Sequence, residues 1–365
     1  CWSTSANPSV AGLHTSDGTG NGTFVSNIPG LTPNTDYYVR AYATNSAGTA
    51  YGNERTFKTD PVLIPTISTN VVTSVTLTTA TSGGNVTSDN GGQVTERGVC
   101  WNTTGNPTTA NPKTSDATGT GVFSSNLTGL ATGTAYYVRA FATNSAGTAY
   151  GNQVRFSSSL SDIDGNIYRT VIIGNQLWMQ SDLKTTKYTD NTDIPNVTDN
   201  TEWANAVSPA YCWYNNLESY GNTYGIIYNW YTVETGKLCP SGWSVPTDGD
   251  YKTLELYLGM TTVEVNGSGW RGTDQGTQLK STSLWFPASG NGTNSSGFTA
   301  LAGGYRYGAD GSFNDIGALA YWWSSSLHWF DTTKGVYRRL DSVQTGVYRE
   351  GVRKSGGKFV RCLKN

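Results

Sequence analysis

The residues of this 365-residue chain that could do chemistry are few and of three kinds. The first are carboxylates on a tight turn. Asp162, Asp164 and Asn166 around Gly165 form half of a calcium-type loop, in which alternating oxygen ligands converge on one hard cation. The closing glutamate is absent, because the twelfth position from Asp162 is Ile173. The segment therefore reads as a strand-initiating turn. The second kind is aromatic. Trp270, Trp285, Trp322 and Trp329 fall in the loop-rich later half and are the candidate ligand-binding residues. An exposed indole stacks on a sugar ring, and burial in a core is the competing role. The third kind is basic. From Thr332 onward stand nine Lys or Arg (Lys334, Arg338, Arg339, Arg349, Arg353, Lys354, Lys358, Arg361, Lys364) against Asp341 and Glu350. That tail is +7, which leaves −2 − 7 = −9 on the remainder. It reads as a solvated, salt-bridged strand face, or as a cationic surface for acidic glycans or the acidic part of a neighbouring subunit.

Catalytic patterns are not found. G-x-S-x-G and HExxH do not occur, and no Cys–His pairing has a sensible context. The only histidines are His14 and His328, and the five cysteines form no CxxC pair. The expectation is a protein that is not an enzyme and holds no metal or cofactor. The net charge of −2 offers no field for nucleic acid, and no stretch approaches the ~20 apolar residues of a membrane span.

Charged residues make up 14% of the chain, well below the ~25% of an average domain, and Gly, Ser, Thr and Asn dominate the polar positions. Such a composition suggests short strands joined by tight turns. The length implies two or three domains. A repeat divides the first part. Residues 37–53 and 136–152 share one sequence except at Tyr42 and Phe141, and the offset of 99 residues holds back to Cys1-Trp2 and Cys100-Trp101. A period near 100 residues is the size of an Ig-like sandwich. Tyr37, Val39, Ala41 and Ala43 alternate with Tyr38, Arg40 and Tyr42, which is a strand period. Asn45-Ser46-Ala47-Gly48 and its copy make a tight turn. Val75 and Leu77 begin an early strand, and Val94 to Trp101 form another.

Leu31-Thr32-Pro33-Asn34-Thr35-Asp36-Tyr37 and its copy ending in Tyr136 resemble the approach to the sixth strand of fibronectin type III modules. That likeness implies a tyrosine whose hydroxyl bonds back to upstream backbone. The reading gives an incomplete module over 1–60, a complete one over 61–159, and a third domain over 160–365. Residues 61–99 have no counterpart ahead of Cys1. The absent strands are comparable in worth to the ~5–15 kcal/mol that stabilises a whole domain. The first module is therefore expected not to fold by itself. Either the rest of a longer chain completes it, or a neighbouring copy does so by donating strands.

Segment 160–365 resembles the Fibrobacter succinogenes major paralogous domain, a bacterial family placed among C-type-lectin-like folds. The residues that carry this include Asp162–Tyr168, Ile173–Met179, Leu238-Cys239-Pro240-Ser241-Gly242-Trp243-Ser244-Val245-Pro246, Trp322-Trp323-Ser324-Ser325 and Val360-Arg361-Cys362. The fold class is then mainly β, with tandem Ig-like sandwiches before an α+β domain. Thr247 and Asp250 make a capping box for a helix through Tyr251, Leu254 and Leu258 that stops at Gly259, and a second helix is expected around 202–206. The resemblance implies a Cys239–Cys362 disulfide, with Cys212 left free. The EPN, QPD and WND triplets of sugar-binding C-type lectins do not occur, which argues against calcium-dependent sugar binding. The functional expectation is a secreted, cell-surface adhesive or structural protein that displays a lectin-like domain on Ig-like spacers. Its partners would be glycans or surface proteins. The other readings are a filament subunit assembled by strand donation and a carbohydrate-active enzyme.

Overall fold

A computed structural model describes residues 1–365. The complete repeat is a sandwich of two antiparallel sheets. One has the order β6 (Thr66–Thr69), β7 (Ala80–Ser88), β9 (Gly121–Leu127). The other is built on β10 (Ala135–Asn144), flanked by β8 (Glu96–Asn102) on one side and by β11 (Gly147–Tyr150) and β12 (Val154–Ser157) on the other. This strand order is that of Ig-like and fibronectin III sandwiches. The early strand expected at Val75 and Leu77 is not formed there. Ser74 adopts φ 48° and Thr76 bonds to Thr79, so these residues turn the chain between β6 and β7.

Alternation places Val138, Ala140 and Ala142 of β10 inward, all fully buried, against Phe123 and Leu127 of the facing sheet. Thr69 fastens the sheets: its hydroxyl accepts from the Ala140 N–H (2.9 Å), and its own N–H donates to Asn152 (3.0 Å). The Tyr136 hydroxyl accepts the Ala131 N–H at 2.9 Å, and Tyr37 does the same with Thr32. Both hairpin turns carry an Asn side chain accepting two residues ahead, and glycines at φ 135° and 136° that only glycine adopts readily.

The first repeat keeps one sheet, β1 (Trp2–Ser3), β2 (Asp36–Val39) and β5 (Arg55–Lys58), and the hairpin β3 (Tyr42–Asn45)–β4 (Gly48–Tyr51). No second sheet faces it. Residues 22–28, the counterpart of β9, form no strand. The cost is visible residue by residue. Ala41 and Ala43 are exposed where Ala140 and Ala142 are buried, and Phe24 is 55% exposed where Phe123 is 8%.

The third domain packs onto the second repeat through Leu160 and Ala135, with Arg155 donating to the Gly174 carbonyl (3.0 Å). It begins with β13 (Leu160–Ser161) and β14 (Ile167–Tyr168). One four-stranded sheet runs β15 (Thr170–Ile173), β16 (Gln176–Met179), β26 (Leu363–Lys364), β19 (Trp243–Ser244). The other runs β20 (Gly269–Arg271), β25 (Val347–Arg353), β24 (Lys334–Asp341), β23 (Leu319–Leu327). Two short pairs, β17 (Tyr211–Cys212) with β18 (Ile227–Tyr228) and β21 (Tyr305–Arg306) with β22 (Phe313–Asn314), complete the strands. Six short helices lie between them: α1 (Asn200–Ala204), α2 (Glu218–Tyr224), α3 (Trp230–Glu234), α4 (Asp248–Tyr257), α5 (Thr262–Asn266) and α6 (Gln275–Leu279).

The capping box at Thr247 and Asp250 starts α4 as expected. The second expected helix, α1, starts two residues earlier because Asp199 caps it by accepting from the Glu202 N–H. Cys239 and Cys362 are bonded, and Cys212 is free and buried. Two apolar cores fill the domain. Trp178, Trp203, Trp285 and Trp322 lie in the first, and Trp230, Trp243 and Trp323 in the second.

Candidate functional site

Much of the basic tail is salt-bridged, as expected, but Arg338, Arg349, Lys358 and Arg361 are buried and not solvated. Alternation along β24 turns Val336, Arg338 and Leu340 inward, and along β25 it turns Val347 and Arg349 inward. Arg338 and Arg349 sit directly opposite each other, and such like charges repel. Helix α4 supplies the remedy. Asp248 and Glu255 are seven residues apart, so both project from one face of the helix toward this sheet. Asp248 accepts from Arg338 (2.9 Å) and from Arg349 (2.8 and 2.7 Å). Glu255 accepts two bonds from Arg271 (2.8 and 2.9 Å) and one from Arg338 (2.6 Å). Burial opposes ionisation of both carboxyls. The bonds and charges of Arg349 and Arg338 together outweigh it for Asp248, and those of Arg338 and Arg271 together do so for Glu255, so both are held below the usual carboxylate range.

Arg361 is buried on Asp182, which also accepts the Trp322 indole N–H at 2.7 Å. Arg306 has no carboxylate. It lies between the rings of Trp203 and Phe313 and donates to the carbonyls of Gly311, Val197, Thr198 and Asp199.

The same alternation sends Tyr337, Arg339 and Tyr348 to the opposite face of the sheet. There they join a continuous aromatic row. Trp270 meets Tyr348 with centroids 5.3 Å apart, Tyr348 stacks near Tyr337 at 6.1 Å, Tyr337 meets Tyr321 at 5.6 Å, and Tyr321 meets Tyr305 at 4.6 Å. The row crosses β20, β25, β24 and β23, about 14 Å at the usual strand spacing of about 4.8 Å. Arg339 lies over Trp270 (4.8 Å) and Tyr348 (4.5 Å). Lys358 enters at the far end, 4.4 Å from the ring centres of both Tyr321 and Tyr337 and 5.0 Å from Trp323. Trp270, Tyr305, Tyr337 and Tyr348 are half-buried, while Tyr321 and Lys358 are only 6% and 3% exposed. The row thus runs from the margin of the second core to solvent.

Of the four tryptophans expected to carry a ligand, only Trp270 belongs to this row. Trp285 is 3% exposed and donates its indole N–H to the Ala300 carbonyl. Trp322 is 2% exposed and tied to Asp182. Both are corrected to core residues, because their faces are covered and their polar atoms are satisfied. Trp329 is exposed but packs on Arg349 (3.9 Å) and His328, apart from the row. The tyrosines of the row escape a search for tryptophan. Their available signal is the two-residue alternation of Tyr337 and Arg339 in the segment that opens the chain's basic run.

The Asp162 turn is made of internal bonds. The Asp162 carboxylate accepts from the backbone of Asp164 and Asn166, from the Asn166 amide and from the Tyr168 hydroxyl. Asp164 accepts from Thr185 and Thr186. These oxygens hold the turn that starts β14.

Sandwich repeats ahead of a mixed domain with two sheets define a modular, mainly β protein. Residues 171–364, more than half of the chain, match the Fibrobacter succinogenes major domain, and the chain belongs to that family. No curated protein sequence matches the chain. Among solved structures it is similar to a group of titin domains (19% identity, TM-score 0.23, covering 34% of this chain and 40% of that one). It is also similar to the FN1–FN3 domains of chicken CNTN1 (19% identity, TM-score 0.22, 35% and 44%). A third is the sensor domain of the anti-sigma factor RsgI4 of Pseudobacteroides cellulosolvens (18% identity, TM-score 0.21, 26% and 75%). The matched stretch spans less than half of the first two chains, and the sandwich assignment rests on the strand order and core described above.

Proposed function

We propose that this is an extracellular bacterial surface protein in which Ig-like modules space a C-type-lectin-like domain, and that the domain contacts glycans through the aromatic row. No catalytic role is assigned to it. The observation that carries the reading is the row itself. Large aromatic groups lie side by side across four strands on a half-open face, where stacking against sugar rings needs no rearrangement of the core. Glycan-array binding by the full chain is the test. Trp270→Ala and Tyr348→Ala are each expected to weaken binding roughly three- to tenfold, since a stacked ring is worth ~0.5–1.5 kcal/mol. An array silent for the parent chain removes the reading.

A second reading is favoured by the open first repeat: a filament subunit, whose sheet accepts a strand pair from a neighbouring copy. The complete repeat shows what such a pair looks like, since β6 and β7 lie against the same residues there. Ala41→Asp is expected to abolish self-association and leave stability unchanged, because Ala41 is exposed in the single chain. Ala140→Asp, in the same sequence context, is expected to cost more than about 3 kcal/mol and unfold its sandwich, because it buries an unpaired charge. Sedimentation over a range of concentrations reads the first and thermal unfolding the second. A chain that stays monomeric at every concentration overturns the filament reading.

A further inference from the structure

Resting on the glycan reading, we infer that the row selects acidic glycans, with sugar rings laid on Trp270, Tyr348 and Tyr337 and a carboxylate or sulfate drawn between Arg339 and Lys358.

Two cations share this face. Arg339 reaches only one carboxylate, Asp341, at 3.9 Å. Lys358 is nine-tenths buried, and its ammonium is ringed by Tyr305, Tyr321, Tyr337 and Trp323. The only charged group that acts on it is Arg339, of like sign. The nearby acids face elsewhere. Asp315 acts on Tyr305 and Tyr321, and Glu350, opposite Tyr337, is held by His328 at 3.0 Å.

A buried ammonium without an acceptor is costly, and ring faces repay only part of that cost. Burial, with the like charge of Arg339, holds the Lys358 amine down to about 7. An anion supplies both what is lacking, an acceptor for three N–H donors, and relief of the repulsion between the two cations. A neutral sugar supplies only the first. Successive ring planes turn by 72°, 28° and 40° along the row, so each ring offers its own contact to one pyranose of a chain, which favours a sugar chain over an acidic peptide.

The sign of the pH effect follows. Below about 7 Lys358 is charged and binding is strongest; above it the free protein must first take up a proton, so affinity falls. The experiment uses the full chain and calorimetric titration with a polyuronate oligosaccharide, a sulfated oligosaccharide and an uncharged one of equal length. The acidic ligands are expected to bind about tenfold more tightly than the uncharged one. Lys358→Met fits among the rings without a charge, and Arg339→Gln lies at the half-exposed surface. Each is expected to lose about tenfold for the acidic ligands and less than about twofold for the neutral one. Raising the pH from about 6 to about 8.5 is expected to weaken acidic binding in the parent and not in Lys358→Met. Equal binding of all three ligands, unchanged by either variant, overturns the acidic preference and leaves the glycan platform standing. Binding of none of them, with Trp270→Ala also without effect, overturns both.

Discussion

Replacing Glu255 with glutamine is expected to lower the stability of the C-terminal domain by about 3–5 kcal/mol, the cost of leaving buried charge uncompensated. Glu255 is 1% exposed and lies between Arg271 and Arg338, both of which are also buried. Without its charge, Arg271 loses its only carboxylate partner, and Arg338 and Arg349 are left to share Asp248. Glutamine keeps the shape, so the loss reports charge and not a cavity. The control is Glu234→Gln. Glu234 pairs with Lys354 at 2.8 Å, but its side chain is 46% exposed, so the change is expected to cost no more than about 1 kcal/mol. Tryptophan fluorescence in urea reads this domain selectively, because ten of the twelve tryptophans lie beyond residue 160. Equal midpoints for the two variants would sink the argument. The pH dependence follows from the same cluster. A carboxyl held below its ordinary value stabilises fully above the ordinary carboxylate range, and that contribution is lost as the pH falls through the depressed values. Acid unfolding of the Glu255→Gln protein is expected to be shallower.

Breaking the Cys239–Cys362 bond is expected to remove roughly 4–5 kcal/mol, the loop-entropy value for a closure of this length. The bond spans 123 residues and ties the start of β19 to the last strands, inside the second core. The whole aromatic row, from Trp270 to Lys358, lies within that loop. The urea midpoint of the Cys239→Ala/Cys362→Ala chain, set beside that of the parent with and without reductant, checks this. Reductant is expected to move the parent to the variant's midpoint and leave the variant where it is. Cys212 does not interfere, because it is buried in the other core and burial pushes its thiol up to about 12.

What the sequence discloses is whatever is local or repeated. The 99-residue offset, the capping box at Thr247 and the tyrosine hydroxyl of each repeat are all local patterns, and all are present in the structure. The Cys239–Cys362 pairing came from family resemblance. The direction of the basic tail was not legible. Nine cations can be counted, but Arg338 and Arg339 part company only when β24 is placed between α4 and solvent. Trp322 and Trp270 differ for the same reason: one faces the first core and the other the open side, and neither neighbourhood in the sequence says so. Val75 and Leu77 have strand-forming types, and the turn at Ser74 and Thr76–Thr79 that replaces the expected strand depends on backbone geometry.

The duplicated stretch makes the two N-terminal repeats interchangeable parts. The groups that β6 grips in the second repeat, the Ala140 N–H and the Asn152 amide, have their equivalents in Ala41 and Asn53 of the first. Seven residues join β5 to β6 and seven join β7 to β8, so the tethers on the two sides are of equal length. The shared stretch alone hardly distinguishes the two sheets, so chain connectivity and the apolar residues of the β8 side, Val94 and Val99, decide which of them the β6–β7 pair shields. A lattice of such chains would need no new surface to exchange that pair between neighbours.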